Sequence, residues 1–194
     1  MYPELSLEEA IERSNLDNLH GLFVMSEYDY RQAPGLSQSI LKEFARSPAH
    51  GYAAMSRPSV ETPAKKHGAA VHCMVLEPDK FHARYVKEPK LGGPKNRKPW
   101  KDEWDAFKEE HQNNIILTED EWYTCIGIDE NIDSSRLHKA IRYGHSEISA
   151  FWRDPECGLL MKARFDKWAP DRNLVWDLKT TEDARPYQFS ISCR

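Results

Sequence analysis

The chain has 194 residues, of which 40% are hydrophobic, 30% charged and 11% aromatic, with a formal net charge of −4. That length suits a single domain whose core needs no disulfide or metal staple, and the aromatic content argues against disorder. No apolar run approaches the roughly 20 residues of a membrane span, Met1-Tyr2-Pro3-Glu4 has no leader character, and the scattered Cys73, Cys125, Cys157 and Cys193 form no C-x-x-C pair, so a reducing, cytoplasmic setting is expected.

In chain order, Ser6-Leu7-Glu8-Glu9 resembles a capping box and predicts a helix through about Asn15. Ser26–Tyr30 and Ala33-Pro34-Gly35 read as a turn-rich link. Ser37 is placed as the N-cap of a helix from Gln38 to about Arg46, with Ile40, Leu41, Phe44 and Ala45 on its apolar face. Ser47-Pro48 ends it, and a second helical piece covers Ala49 to Met55. Pro58 to Pro63 reads as a linker. The next helix, about Ala64 to Leu76, is small or apolar almost all round from Gly68 onward, which argues for burial; Pro78 is expected to close it.

From Arg84 to Lys101 the basic residues are Arg84, Lys87, Lys90, Lys95, Arg97, Lys98 and Lys101, against the one acid Glu88. Pro89, Gly92, Gly93, Pro94 and Pro99 mark the stretch as a loop. A basic loop on an acidic protein suits phosphate capture, because Lys and Arg displace condensed counterions from DNA; by itself it reads more simply as a solvated surface loop, and it becomes informative only beside a catalytic site. Trp100 to about Asn113 is an amphipathic helix with Trp104 and Phe107 on one side. Thr118-Glu119-Asp120-Glu121 is a capping box opening a helix toward Asn131, and a short helix covers Ser134 to Ile141.

The period changes at His145. Glu147, Ser149 and Phe151 alternate with Ile148, Ala150 and Trp152, which predicts a strand. After a turn at Asp154–Gly158 comes a second strand, Leu159 to Trp168, with Lys162, Arg164 and Asp166 on one face and Met161, Ala163 and Phe165 on the other. Ala169–Asn173 is a turn, and Leu174 to Thr180 a third strand. The fold class is therefore mixed α/β (α+β): an antiparallel three-strand meander behind a mostly helical N-terminal half.

Strand alternation puts Asp177 and Lys179 on one face. Asp166 on the neighbouring strand reaches that face, and so does Glu147 one strand further out. Three clustered acids repel one another unless a cation compensates, and oxygen donors of this kind suit Mg²⁺ or Mn²⁺. A lysine beside them can orient a water or neutralise charge on a phosphoryl group. An Asp-x-Lys alone is more simply a cross-strand ion pair on a solvated sheet face; Asp166 on the preceding strand brings the two readings level.

Asp166 followed by Asp177-Leu178-Lys179 matches the PD-(D/E)xK nuclease pattern. The wider chain resembles the RecE-type exodeoxyribonucleases (exodeoxyribonuclease VIII-like). The likeness is carried in order by Pro34–Ser39, Gly68–Pro78, Gly144–Glu147, Trp152–Gly158, Arg164–Lys167 and Asp177–Thr181. It implies a restriction-endonuclease-like core in a single nuclease domain over 1–194. Within it, 1–63 forms an N-terminal helical part, 64–143 a helical part with the basic loop 84–101, and 144–181 the catalytic strands.

The resemblance assigns roles. His72, ending the helix motif, is a metal-proximal ligand; without the family it reads as a satisfied core histidine. Asp166 and Asp177 are metal ligands, and the Leu178 carbonyl completes the shell. Lys179 is the catalytic lysine, and Glu147 binds a second metal or a water on it. Arg164 touches a phosphate or pairs with an acid. Apart from the resemblance, the charge of the basic loop makes Lys95, Arg97 and Lys98 the expected DNA contacts. The implied reaction is Mg²⁺-dependent (or Mn²⁺-dependent) hydrolysis of phosphodiesters at double-stranded DNA ends, 5′ to 3′, leaving 5′-phosphates. Implied partners are a single-strand annealing protein and further copies in a ring around DNA, with a phage or prophage setting and no membrane.

The chain departs from that pattern after the D-x-K strand. Gln188 is too near Lys179, and lacks the tyrosine spacing, to serve as the family's glutamine, so the last core helix and strand are expected to be missing and the chain reads as C-terminally truncated. That leaves a rival reading, a catalytically impaired DNA-end-binding remnant. The loss would also expose Phe165, Trp176 and Leu178 on the back of the sheet. A RecB-like nuclease with an iron–sulfur cluster needs a cysteine cluster that the four scattered cysteines do not supply. The helical half speaks against a sequence-specific restriction endonuclease.

Overall fold

A computed structural model describes residues 20–56, 60, 62–181, 183 and 185–192. The helix expected from Ser6 to Asn15, and Pro58, Ser59 and Glu61 of the Pro58–Pro63 linker, lie outside the described residues. The elements run β1 (Gly21–Val24), α1 (Glu27–Gln32), α2 (Gln38–Arg46), α3 (Pro48–Ser56), α4 (Pro63–Leu76), α5 (Pro78–Arg84), β2 (Tyr85–Lys87), α6 (Lys98–Glu110), β3 (Ile115–Leu117), α7 (Glu119–Ser134), α8 (His138–Arg142), β4 (His145–Arg153), β5 (Leu160–Ala169), β6 (Leu174–Trp176) and α9 (Pro186–Ser192). They gather into two compact units, one holding the chain up to Val60 with Tyr143–Asp177, the other Glu61–Arg142 with Leu178 onward.

The first unit is built on a sheet of order β1-β4-β5-β6, antiparallel throughout. The expected meander is its β4-β5-β6 part. At the first turn the Asp154 Oδ1 accepts from the Glu156 and Cys157 amides, each at 3.0 Å. At the second, a short 3₁₀ turn over Pro170–Arg172 ends in Asn173 at φ +51°, a left-handed position that Asn tolerates. β1 adds a fourth strand; four residues, Gly-Leu-Phe-Val, are too few to display a period of two. Phe23, Met25, Ala33 and Phe151 form the core beneath it, with Tyr30 packed alongside.

Ser26–Tyr30 is helical rather than turn-like: Ser26 Oγ accepts from the Asp29 amide at 3.0 Å and opens α1. The local cap satisfies an orphan donor and lets a six-residue helix form without a long apolar period. The Pro34-Gly35-Leu36 segment is then tied to β5. The Leu36 amide donates to the Leu160 carbonyl at 2.9 Å, and the Lys162 amide donates to the Leu36 carbonyl at 3.0 Å. Gly35 sits at φ +115° with Leu160 and Met161 3.4 Å from where a Cβ would stand, which explains a glycine there. α2 has the expected bounds, but Ser37 makes no side-chain cap bond; its Oγ lies 2.9 Å from Ser39 Oγ instead.

The second unit is organised by α4. Thr62 caps it and Pro63 occupies its first turn, where a missing N–H loses no bond. Ala70, Val71, Cys73, Met74, Val75 and Leu76 are buried with Phe81, Tyr85, Leu117 and Cys125. Burial pushes the Cys125 thiol up to about 11, which keeps it protonated. Pro78 ends nothing for long: it starts α5, again at the tolerated N-terminal position. The basic stretch is correspondingly shorter as a loop, with Tyr85–Lys87 in a parallel pair with Ile115–Leu117 and α6 beginning at Lys98. The Thr118–Glu121 capping box is present and opens α7, which runs on to Ser134. α8 is shorter than the helix expected over Ser134–Ile141. Arg142 Nη1 donates to the Val75 carbonyl at 2.6 Å and closes the C-terminal end of α4, while its Nη2 meets Asp129 and Asp133. No described helix is long and apolar enough to cross a membrane.

Glu77 caps α4 between Lys80 Nζ at 2.6 Å and Arg84 Nη1 at 3.0 Å. Burial pushes its carboxyl up, but the two cations outweigh that and hold it below the usual carboxylate value. A depressed folded-state value means stability that is present above the unfolded value and lost as pH falls through the folded one. Glu77→Gln is therefore expected to lower Tm near neutral pH by roughly 2–4 °C, about 1 kcal/mol, and by progressively less as pH falls below the ordinary carboxylate value of about 4.3; thermal melts across pH check this.

Candidate functional site

Register puts the functional acids of the first unit on one face. β4 and β5 pair through Ser146↔Lys167, Ile148↔Phe165, Ser149↔Arg164 and Phe151↔Lys162. Glu147 thus lies opposite Asp166 at the one step that is skipped. Residues directly opposite in an antiparallel pair share a face. Glu147, Ser149 and Phe151 of β4 therefore face the same way as Asp166, Arg164 and Lys162 of β5. One carboxylate oxygen of Glu147 and one of Asp166 lie within 4.8 Å of each other, and both residues are half-buried.

The skipped step has a backbone cause. Glu147 adopts φ +56°, a left-handed conformation uncommon for a non-glycine residue and worth of order 1–3 kcal/mol of strain. That kink breaks the β4–β5 ladder at the point where the two acids meet. Just before it, Gly144 at φ +97° passes so close to β5 that a Cβ would stand 2.6 Å from the Trp168 carbonyl.

Two acids so close need a cation. Arg164, two residues from Asp166 on the same face, supplies one: its Nε lies 2.6 Å from Glu147 Oε2, with both side chains largely buried. This is the acid-pairing alternative expected for Arg164. The pair lacks hydrogen-bond alignment, and the buried Nη1 of Arg164 has no hydrogen-bond partner among the described residues. A buried donor without an acceptor is costly, of order 1–3 kcal/mol, and Nη1 is a ready contact for an anionic oxygen. The guanidinium also stands 5.9 Å over the Tyr30 ring.

Lys162 and Tyr30 are parts of this face that sequence reasoning did not single out as functional. Lys162 Nζ donates to the carbonyls of Ala33 at 2.6 Å and Tyr30 at 3.0 Å. Burial, and then the charge of Arg31, push its ammonium below the usual lysine range. Burial likewise pushes the Tyr30 phenol up, against Arg164 and Arg31. The sequence signal was present in the alternation Lys162, Arg164, Asp166, but a lysine in a strand is read first as solvent-facing.

The D-x-K motif differs from expectation. β6 ends at Trp176, and its pairing with β5 stops at Lys167↔Trp176. Asp177 and Lys179 therefore follow the strand rather than belong to it, and strand alternation does not place them on a common face. Continuing that register by one step would set Asp177 opposite Asp166. Asp177 and Lys179 are exposed, whereas Leu178 is half-buried and packs against the α4–α7 core of the second unit, so it does not lie bare on the back of a sheet. Thr180 Oγ1 lies 3.5 Å from where a Cβ at Gly68 would stand, so this segment passes along α4, the helix that carries His72. His72 is half-buried between buried Val71 and Cys73. α9, Pro186–Ser192, forms where no core helix was expected.

In the second unit Lys95, Arg97 and Lys98 are exposed. Lys98 opens α6 and Arg97 precedes it without a side-chain cap bond.

The mixed α/β architecture with its antiparallel sheet is compatible with a PDDEXK-like domain, a nuclease-type fold. Residues 37–193 match the family model described as PDDEXK-like domain of unknown function (DUF3799), and the chain belongs to that family. No curated protein matches it.

Breaking the Arg164–Glu147 pair removes the cation that stands 2.6 Å from Glu147 Oε2. Arg164→Met is expected to destabilise the protein by about 1–3 kcal/mol. The double variant Arg164→Met/Glu147→Gln should recover at least half of that in denaturant unfolding. Additive losses would show that the pair carries no coupling.

Proposed function

We propose that this chain is a metal-dependent DNA exonuclease that hydrolyses phosphodiesters at the ends of linear duplex DNA, 5′ to 3′, in phage-type recombination. The observation that supports this most is the facing of Glu147 and Asp166 in a chain of a PDDEXK-like family. Opposed half-buried carboxylates are a hard oxygen donor set, and Mg²⁺ or Mn²⁺ suits it. In this reading Asp166 and Glu147 hold the ion, joined by Asp177, the Leu178 carbonyl and His72, whose roles rest on the sequence pattern.

A divalent ion held there supplies Lewis-acid neutralisation of charge on the phosphoryl oxygens. The chain's own groups do the rest. Lys179 donates from its ammonium to orient the attacking water, and Arg164 Nη1 offers a buried donor to a non-bridging phosphate oxygen. Lys95, Arg97 and Lys98 draw the duplex in by counterion release. The products are a 5′-phosphate and a growing 3′ single strand for an annealing protein; copies of the chain in a ring around the duplex, in the cytoplasm of a bacterial host, complete the reading.

A second reading, a DNA-end-binding remnant impaired in catalysis, is favoured by one feature: Asp177 and Lys179 lie beyond the end of β6.

Linear duplex incubated with the chain and Mg²⁺ is expected to release nucleotides, EDTA to stop the release, and closed circles to be spared. Asp166→Asn and Lys179→Ala should each lower the rate by at least about a hundredfold. Unchanged rates in both would remove the assigned roles, and end binding without any metal-dependent release would establish the second reading.

A further inference from the structure

α6 carries an aromatic stripe that no core absorbs. Trp100, Trp104, Phe107 and His111 follow one another with ring centroids 5.6, 5.9 and 4.5 Å apart, the first two steps near parallel at 23° and 20°. None of the α6 residues is buried, and α6 packs only lightly against other described elements. An amphipathic helix normally seats such a stripe in a core.

At the N-terminal end of the stripe lies an open cleft of about 370 Å³, lined by Trp100 and Trp104 with Lys90, Lys95, Glu88 and Glu119. Lys90 is committed to Glu119 at 2.7 Å. Lys95 has no carboxylate partner among the described residues, and its Nζ stands 5.9 Å over the Trp100 ring. Arg97, Lys98 and Lys101 gather at the start of α6, where the first turn holds no acid and the cap position offers no side-chain acceptor. Cations at the positive end of a helix dipole are unfavourable unless an anion joins them. Lys90 and Lys95 are matched in the cleft by Glu88 and Glu119, and Arg97, Lys98 and Lys101 beside it give the surface an excess of positive charge next to flat π faces.

We infer that this cleft binds single-stranded DNA, with an unstacked base laid on Trp100 and the flanking phosphates on Lys95, Arg97 and Lys98. Charge complementarity selects a polyanion, and the ring faces select one whose bases are free. A duplex hides its base faces in the stack, whereas a single strand offers them to aromatic platforms with little regard to sequence. The inference rests on the nuclease reading for the source of the strand, since resection of a duplex end leaves one; the cleft itself lies within the second unit and uses none of the acids.

The test is fluorescence titration of the full chain, metal-free, with oligo(dT) and with a blunt duplex of equal length at two salt concentrations. Oligo(dT) should quench tryptophan emission, and Trp100→Ala should weaken its binding about tenfold while leaving duplex binding within about twofold. Trp100→Phe, which keeps a flat ring, should retain most of the affinity and guards against a folding artefact. Lys95→Ala should weaken both ligands and reduce the salt slope by about one. Equal oligo(dT) affinity in Trp100→Ala and the parent chain would overturn the inference and leave the stripe as a protein-docking face; equal losses on both ligands would overturn it in favour of a DNA surface that does not select single strands. Failure of the nuclease reading shows separately, as absent cleavage with Trp100-dependent binding intact.

Discussion

The first unit depends on the placing of two negative charges against each other. Glu147 and Asp166 come from neighbouring strands, on the same face, within 4.8 Å, and like charges at that range must be compensated or protonated. Arg164 provides compensation from the same strand as Asp166. The rest of the sheet is arranged around that contact. Gly144 lets the chain pass tight against Trp168, the left-handed turn at Glu147 lifts its carboxylate off the ladder, and Lys162 fastens α1 and the Pro34–Leu36 segment to β5. Strain, a buried guanidinium and a clustered pair of acids are features that a purely structural sheet would shed, and they are grouped on one face.

Much of this was legible in the sequence, because the physics was local. The capping box at Thr118–Glu121, the bounds of α2 and the burial of α4 follow from side chains within a turn or two of each other. The alternation from His145 to Trp168 likewise predicted β4, β5 and the common face of Arg164 and Asp166. The family resemblance added a sense of which acids to weigh, and membership of a PDDEXK-like family agrees with it at that level.

What escaped was set by contacts distant in sequence or by elements too short to carry a period. β1, β2 and β3 have three or four residues each, so pairing rather than pattern makes them strands. Pro78 looked like a stop because a proline after a helix usually is one; as the first residue of α5 it is equally at home. A third strand running to Thr180 overextends the observed one: Val175, Asp177 and Lys179 alternate well enough with Trp176 and Leu178, yet β6 ends at Trp176, and Leu178 belongs to the second unit and packs in that unit's own core. The tertiary demand of an apolar side chain overrode the local period there. The left-handed backbone of Glu147 had no sequence signal at all, since a glutamate in a strand predicts an extended conformation.

The proposed purpose of the facing carboxylates, to hold a divalent ion against a phosphodiester, is tested most directly by Mn²⁺ uptake measured by electron paramagnetic resonance on the full chain, without DNA. The parent chain is predicted to bind Mn²⁺ in competition with Mg²⁺, and the Glu147→Gln/Asp166→Asn variant to lose that binding while keeping its fold. Equal Mn²⁺ uptake by the two proteins would contradict the claim and leave the Glu147, Asp166 and Arg164 cluster as a buried ionic tie between strands.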